Sequence, residues 1–336
     1  MDQPLQYERY LTSGDEIRLI QLHPGHGGSP LKAKFQYRHL SENPDYQALS
    51  YTWGSPFNRD HPSWNQYQVP TTQHDLHMNN GVIKVTESLH SALLRLRQPV
   101  KALIFWVDAI CIDQSHDEEK AWQIQQMREI YERAARVLIW LGPSDATSDI
   151  AMSVLQAGYR YSLRAKPYTR LGATWADVPQ PKEGQEFDDQ LTAASFGKMF
   201  GKVPKSNVQI PDYPIKAVAN LLNRAYWGRG WCWQEFTVAK KIAIVCGEKI
   251  LEDGDMCIDT FLQTWDSLKE ALGRQRQGLD HRPWSMMEHR RSYRNIVYLK
   301  NTGFRDNSSI ETPDGRMPLK IWAHDNVRDP LSERTS

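Results

Sequence analysis

Apolar positions along the chain alternate between two periods. The segment "IRLIQLHPGHGGSPLKAKFQYRHL" (17–40) reads as two strands joined by a Gly/Pro turn, an N-terminal hairpin. "YQALSYTWG" (Tyr46–Gly54) is a short β-prone run that ends in glycine. The polar stretch Ser55–Asn80 reads as an exposed loop. Helical spacing follows at Val85, Leu89, Ala92, Leu93 and Leu96, with Thr86 as N-cap and Pro99 beyond the end.

"ALIFWVDAICIDQ" (Ala102–Gln114) is almost continuously apolar, as in a strand buried on both faces of a parallel sheet, and Asp108 interrupts it. Ser115 and Glu118 form a capping-box pair for a helix with the stripe Ile124, Met127, Tyr131 and Ala134. Its acids sit in the first turn and Arg133 and Arg136 near the end, as the helix dipole favours. "RVLIWLGP" (Arg136–Pro143) is the next buried strand. From Ser144 the periodicity weakens, and the stretch from about 166 to 212 reads as an insertion or a lid. Helical spacing returns before "RGWCWQEF", then "IAIVCGEKIL" reads as one strand and 255–272 as helical.

This order predicts an α/β fold with a mostly parallel central sheet flanked by helices. Residues 1–272 form the expected domain, with the hairpin and an insertion at about 144–212. Residues 273–336 form a C-terminal helical or irregular extension. In such sheets ligands gather at the carboxyl ends of strands, which here carry Trp53, Gly54 and Asp108–Asp113.

Composition narrows the classes. With 40% hydrophobic and 24% charged residues, the 336-residue chain can build a real core. A formal net charge of +1 gives no electrostatic reason to expect nucleic acid or an anionic membrane. No apolar run is long enough to span a bilayer, and the N-terminus lacks a secretory pattern, so a cytoplasmic protein is expected. Cys111, Cys232, Cys246 and Cys257 read as buried thiols without disulfide or zinc spacing. His74 and His77 have metal-like spacing but no partner cluster, so no metal site is expected. Phosphate-loop, nucleophile-elbow and zincin motifs are absent.

The unusual stretch is "RGWCWQEF" (Arg229–Phe236). If a helix begins near Trp231, then Trp231 and Glu235 are i and i+4 on one face, an indole plane beside a carboxylate. Cys232, Phe236 and Ala239 then form a neighbouring apolar stripe.

Three blocks resemble a known family. "YQALSYTWG", "WVDAICIDQSHDEEKAWQIQQMREIYERAARVLIWLG" and "RAYWGRGWCWQEFTVAKKIAIVCG" look like the signature blocks of the fungal heterokaryon-incompatibility (HET) domain, in the family's order. The likeness runs from about Tyr7 to Gly247 apart from the insertion. It departs at Trp227, where the family usually has Phe, and at Cys232 and Trp233, where it has an aliphatic pair. "VRDPLSERTS" looks like a downstream family segment cut short or diverged.

The HET domain is itself similar to TIR domains, which are flavodoxin-like, and some of which cleave NAD+ with a glutamate. That resemblance maps the glutamate segment onto Trp231, Cys232 and Glu235, and an F-I-D strand end onto Trp106, Val107 and Asp108. It implies a cell-death or self/non-self role, with NAD+ as substrate and no resident cofactor, self-association on activation, and partner signalling proteins.

Chemistry permits one carboxylate here. O-Glycosidases use two because the leaving oxygen must be protonated. Nicotinamide leaves NAD+ as a neutral molecule, so a single carboxylate that stabilises an oxocarbenium-like ribose suffices. Each candidate also has a plain structural reading. Glu235 is either the catalytic acid or a dipole-favoured helix residue. Trp231 is either a stacking platform or core. Asp108 either contacts ribose or nicotinamide, or accepts loop amides. Tyr51, Trp53 and Gly54 either approach a phosphate or form a turn, and Arg229 either meets a pyrophosphate or is a surface arginine. The overall alternatives are an NAD+ hydrolase, a non-catalytic interaction module and a small-molecule-binding flavodoxin-like domain.

Overall fold

The computed structural model of the chain describes residues 3–11, 14–67, 73–153, 155–156, 213–252 and 290. Its strands are β1 (Glu16–Leu22), β2 (Leu31–His39), β3 (Gln47–Tyr51), β4 (Gln73–Met78), β5 (Gly81–Thr86), β6 (Leu103–Trp106), β7 (Arg136–Trp140), β8 (Ile242–Cys246) and β9 (Lys249–Leu251). The helices are α1 (Glu87–Leu96), α2 (Asp108–Cys111), α3 (Asp117–Arg133), α4 (Tyr213–Leu222) and α5 (Gly230–Val238), with a further helical run from 148.

The strands form one mixed sheet in the order β5-β4-β2-β1-β6-β3-β7-β8-β9. Its centre, β6-β3-β7-β8, is parallel throughout. Antiparallel pairs β1–β2, β4–β5 and β8–β9 extend both sides, and β1 joins β6 antiparallel. The sheet is therefore more mixed than the apolar pattern predicts. Parallel strands covered on both faces read as unbroken apolar runs, and β3, β7 and β8 are buried almost end to end. The chain leaves β3 and returns as β6 on one side, then leaves β6 and returns as β7 on the other side of β3. Loops diverge at such a point and open a crevice at the strand's carboxyl end.

The N-terminal hairpin and α1 form as the pattern predicts, and the Thr86 hydroxyl accepts from the Leu89 amide at 3.3 Å. Other elements differ for identifiable reasons. The apolar run at Ala102–Gln114 breaks after Trp106, and Asp108 opens α2, because such a run does not distinguish a strand from a short helical turn. The expected loop Ser55–Asn80 contains β4, whose pairing with β2 buries Leu76 opposite Leu31. The N-cap of α3 is His116, not Ser115: its Nδ1 accepts from the Glu119 amide at 3.1 Å, while Ser115 Oγ binds Asp113 at 2.6 Å. Ile124 lies outside the buried stripe, which runs through Gln123, Met127, Ile130 and Tyr131. "IAIVCGEKIL" is a hairpin, β8–β9, turning at Gly247 with φ 51°. An added Cβ there would meet the Ser144 amide nitrogen at 2.7 Å, so glycine is required.

The first residues of the expected insertion belong to the core: Ala151, Met152 and Leu155 are buried. Residues 157–212, the expected helix at 255–272, Cys257 and the C-terminal extension lie outside the described residues. Cys111, Cys232 and Cys246 are free, buried thiols. Among the described residues no helix is long and apolar enough to cross a membrane.

A buried ion pair joins the hairpin to α3. Arg18 on β1 and Glu119 on α3 meet at 2.8 Å, with both side chains fully enclosed. Glu119 also accepts from the amides of Leu11 (3.0 Å) and Asp113 (2.9 Å), and Arg18 donates to the Cys111 carbonyl at 2.8 Å. The guanidinium lies over the Tyr7 ring at 4.4 Å. Burial opposes the charge on Glu119, but Arg18 and the two amides outweigh it and hold the carboxyl below its ordinary range. Removing one partner leaves the other charge stranded in the core, so Glu119→Ala is expected to lower the unfolding free energy by about 3–5 kcal/mol in urea titration. Lys84→Ala, at the exposed Lys84–Asp75 pair, is expected to leave the midpoint in place.

Candidate functional site

β3 carries the polar centre of the fold at its carboxyl end. Ser50 lies in the buried run "QALSY", opposite Ile139 of β7 and only 1% exposed. A hydroxyl there needs partners, because an unpaired buried polar group is costly. Ser50 Oγ donates to Glu235 Oε2 and lies 2.9 Å from the Tyr226 hydroxyl.

Glu235 arrives on α5. A 3-10 turn, Ala225–Gly228, ends at Arg229, whose extended backbone caps the new helix at Gly230. Cys232, Phe236 and Ala239 are buried, as the expected stripe requires, and α5 packs on α3 and across β3 and β7. At the other end, buried Arg290 donates to the carbonyls of Phe236 (2.5 Å), Thr237 (3.2 Å) and Ala239 (2.9 Å). Carbonyls at a helix end lack intrahelical partners, and a cation suits them. The helix is thereby fixed at a depth that leaves Glu235 only 5% exposed.

The carboxylate forms no ion pair among the described residues. Burial pushes Glu235 from 4.5 up to about 7, the Ser50 hydrogen bond opposes this, and the nearby Asp108 charge adds to it. Arg229 and the Tyr131 hydroxyl work in the lowering direction. Tyr131 also reaches the Leu49 carbonyl at 3.2 Å. Burial keeps Tyr51, Tyr131 and Tyr226 far above their ordinary range, so all three remain neutral hydrogen-bond donors.

Asp108 is the second acid of the group. Its Oδ2 accepts from Trp53 Nε1 at 2.9 Å and its Oδ1 from the Ala109 amide at 2.7 Å. Burial raises its pKa, against the pull of Trp53, Ala109, Arg229 and Tyr51. The expected loop-amide acceptor is present, and an indole donor joins it. Tyr51 is buried, and its carbonyl faces Arg229 NH1 at 3.4 Å. Gly54 is exposed, and an added Cβ would meet nothing within 4 Å, so no protein neighbour requires glycine there. Trp231 is half-buried against the core, one turn before Glu235 on α5.

The fold thus gathers Tyr51, Trp53, Asp108, Arg229 and Glu235 from three separated segments. Sequence reasoning missed Ser50, Tyr131 and Tyr226. The legible signal for Ser50 was a lone hydroxyl inside an apolar strand. For the tyrosines there was none, since their hydroxyls meet the site only through packing. Among the described residues no cluster of His, Cys, Asp and Glu has the makings of a metal site. Chemically, the group is two desolvated carboxylates held by neutral donors, with Arg229 the cation that moderates both.

The raised Glu235 pKa carries a pH signature. Its stabilising contribution is fully present below about pH 4.5 and is lost as pH rises through about 7, because the unfolded carboxyl ionises freely. From about pH 4.5 to about pH 8 the wild-type chain is expected to lose on the order of 3 kcal/mol more stability than Glu235→Gln. Urea unfolding of both proteins at the two pH values checks this, since every other titrating group is shared.

Comparison with known proteins places these residues in a family. The family model described as "Heterokaryon incompatibility protein (HET)" matches residues 46–235, from the entry to β3 through Glu235. The chain is also 27% identical over 267 residues to "Heterokaryon incompatibility protein 6, OR allele" of Neurospora crassa. That alignment covers 70% of this chain and 34% of the relative, so the chain spans about a third of that protein's length. No solved structure matches. The family match takes in more than half of the chain and encloses both ends of the Ser50–Glu235 bond, and the chain belongs to the heterokaryon incompatibility (HET) family.

Proposed function

We propose that the chain is a heterokaryon-incompatibility effector that hydrolyses NAD+ to nicotinamide and ADP-ribose, with Glu235 as the essential carboxylate. The observation that carries this reading is a buried carboxylate held by hydroxyls instead of by a salt bridge. Ionised in that setting, Glu235 is under-compensated, and a cation close to it is strongly favoured. The ribosyl centre of NAD+ becomes such a cation as neutral nicotinamide departs. Glu235 stabilises it electrostatically, and water then adds to the anomeric carbon and releases its proton to solvent. Asp108, with both oxygens already engaged, serves as a fixed second negative charge. Trp53 and Trp231 offer ring faces for the nicotinamide or adenine. Arg229 is available to a pyrophosphate, and Gly54 leaves open space around its own backbone.

The strand order supports a flavodoxin-like, TIR-like core. Counted in chain order, the four central parallel strands lie 2-1-3-4, as in the first four strands of doubly wound sheets of order 2-1-3-4-5. The site sits where such sheets bind ligands. Activity confined to a self-associated state, in the cytoplasm, fits a reaction that would otherwise deplete the cell.

A second reading is a non-catalytic module that docks signalling partners. One observation favours it: Glu235 is 5% exposed, with little direct access for a substrate.

Nicotinamide release from NAD+, with and without a crowding agent, separates the two. Wild type is expected to turn over when assembled, and Glu235→Gln to lose at least about 100-fold, as loss of a principal electrostatic stabiliser does. The absence of release in every assembly condition would select the docking module. Because the ionised carboxylate is the working form, the rate is expected to rise with pH through about 7. A rate that instead falls across that range would mean that protonated Glu235 acts as an acid.

A further inference from the structure

We propose that Ser50, oriented by Tyr226, is the positioning residue that fixes the Glu235 carboxylate and sets the pH at which it ionises. This rests on the reaction proposed above for its catalytic consequence, though not for its geometry.

Ser50 has one proton to give. β3 is paired in parallel with β6 and β7, so its backbone cannot shift to follow another partner. The Tyr226 hydroxyl is fully buried and remains protonated, because burial raises its pKa, with Cys232 and Glu235 adding to the effect. Tyr226 therefore donates to Ser50 at 2.9 Å, and the Ser50 proton is directed at Glu235 Oε2. The chain Tyr226→Ser50→Glu235 points every hydrogen toward the carboxylate. That arrangement favours the ionised acid, the form the proposed reaction needs.

The other groups facing Glu235 act differently. Asp108 opposes ionisation by its charge, and Arg229 assists at a distance. The Tyr131 hydroxyl is divided between Glu235 and the Leu49 carbonyl. The Cys232 thiol is held neutral, as burial raises its pKa well above the ordinary value. Ser50 donates to one carboxylate oxygen, and the same hydroxyl also faces the Cys232 thiol. Its β3 neighbour Tyr51 turns its hydroxyl to Asp108 instead.

The test is a titration of Glu235 in the full chain, followed by carboxyl 13C NMR, with the signal identified by its loss in Glu235→Gln. Ser50→Ala is expected to raise the midpoint by about one to two pH units, the worth of a hydrogen bond to a charged group. Tyr226→Phe, which removes only the hydroxyl, is expected to raise it less. In NAD+ turnover the rising limb of the pH–rate profile shifts by the same amount, while KM holds, because Ser50 touches no substrate. An unchanged midpoint in Ser50→Ala overturns the proposal. If Ser50→Ala does not fold, an unchanged midpoint in Tyr226→Phe overturns it equally. A shifted midpoint without wild-type turnover upholds the positioning role and rejects the reaction. Turnover with an unmoved midpoint does the reverse.

Discussion

The structure depends on one constraint, the enclosure of a carboxylate at the end of the strand on which the sheet's connections diverge. Glu235 is taken out of water by α5, and water's solvation is replaced by the Ser50 hydroxyl and not by a cation. The cost appears as a pKa near neutrality. An enclosed carboxyl of this kind destabilises the fold once ionised, and perturbed carboxyls gather at functional sites, which makes Glu235 a candidate. The placement needs β3 locked on both sides, α5 seated on α3, and the helix end held by Arg290.

Three buried arginines show how the same fold treats charge when the purpose is structural. Arg18 meets Glu119 and two backbone carbonyls. Arg224 binds Asp145 at 2.6 Å and the carbonyls of Leu141 and Pro143, and lies over the Phe57 ring at 4.6 Å. Arg290 closes α5. In the first two cases a carboxylate faces a guanidinium directly and is held below its ordinary pKa. Glu235 and Asp108 shift the opposite way, since their partners are hydroxyls, an indole and an amide. The contrast separates anchoring acids from the site's acids more sharply than burial does, for Glu119 and Glu235 are both enclosed.

Much of the fold was legible because local physics recurs along the chain. Strand-length apolar runs gave β3, β7 and β8, helical spacing gave α1, and glycines on either side of Arg229 marked the start of α5. Errors fell where two conformations share one pattern. An apolar run reads alike as a strand or a short helix, which hid α2. A polar stretch reads as a loop unless its register is known, which hid β4. His116 took the cap from Ser115 because Asp113 had already engaged the serine hydroxyl.

The candidate site divides in the same way. Residue order alone placed Trp231 and Glu235 on one helix, and Asp108 and Trp53 beside strand ends, because those relations span only a few positions. The Ser50–Glu235 bond joins residues 185 positions apart, and no periodicity encodes such a pairing. Nor could composition tell that Glu119 would be held as an anion while Glu235 would be driven toward its acid form. That difference is a matter of which donor lies opposite each carboxylate after packing, so tertiary structure alone decided it.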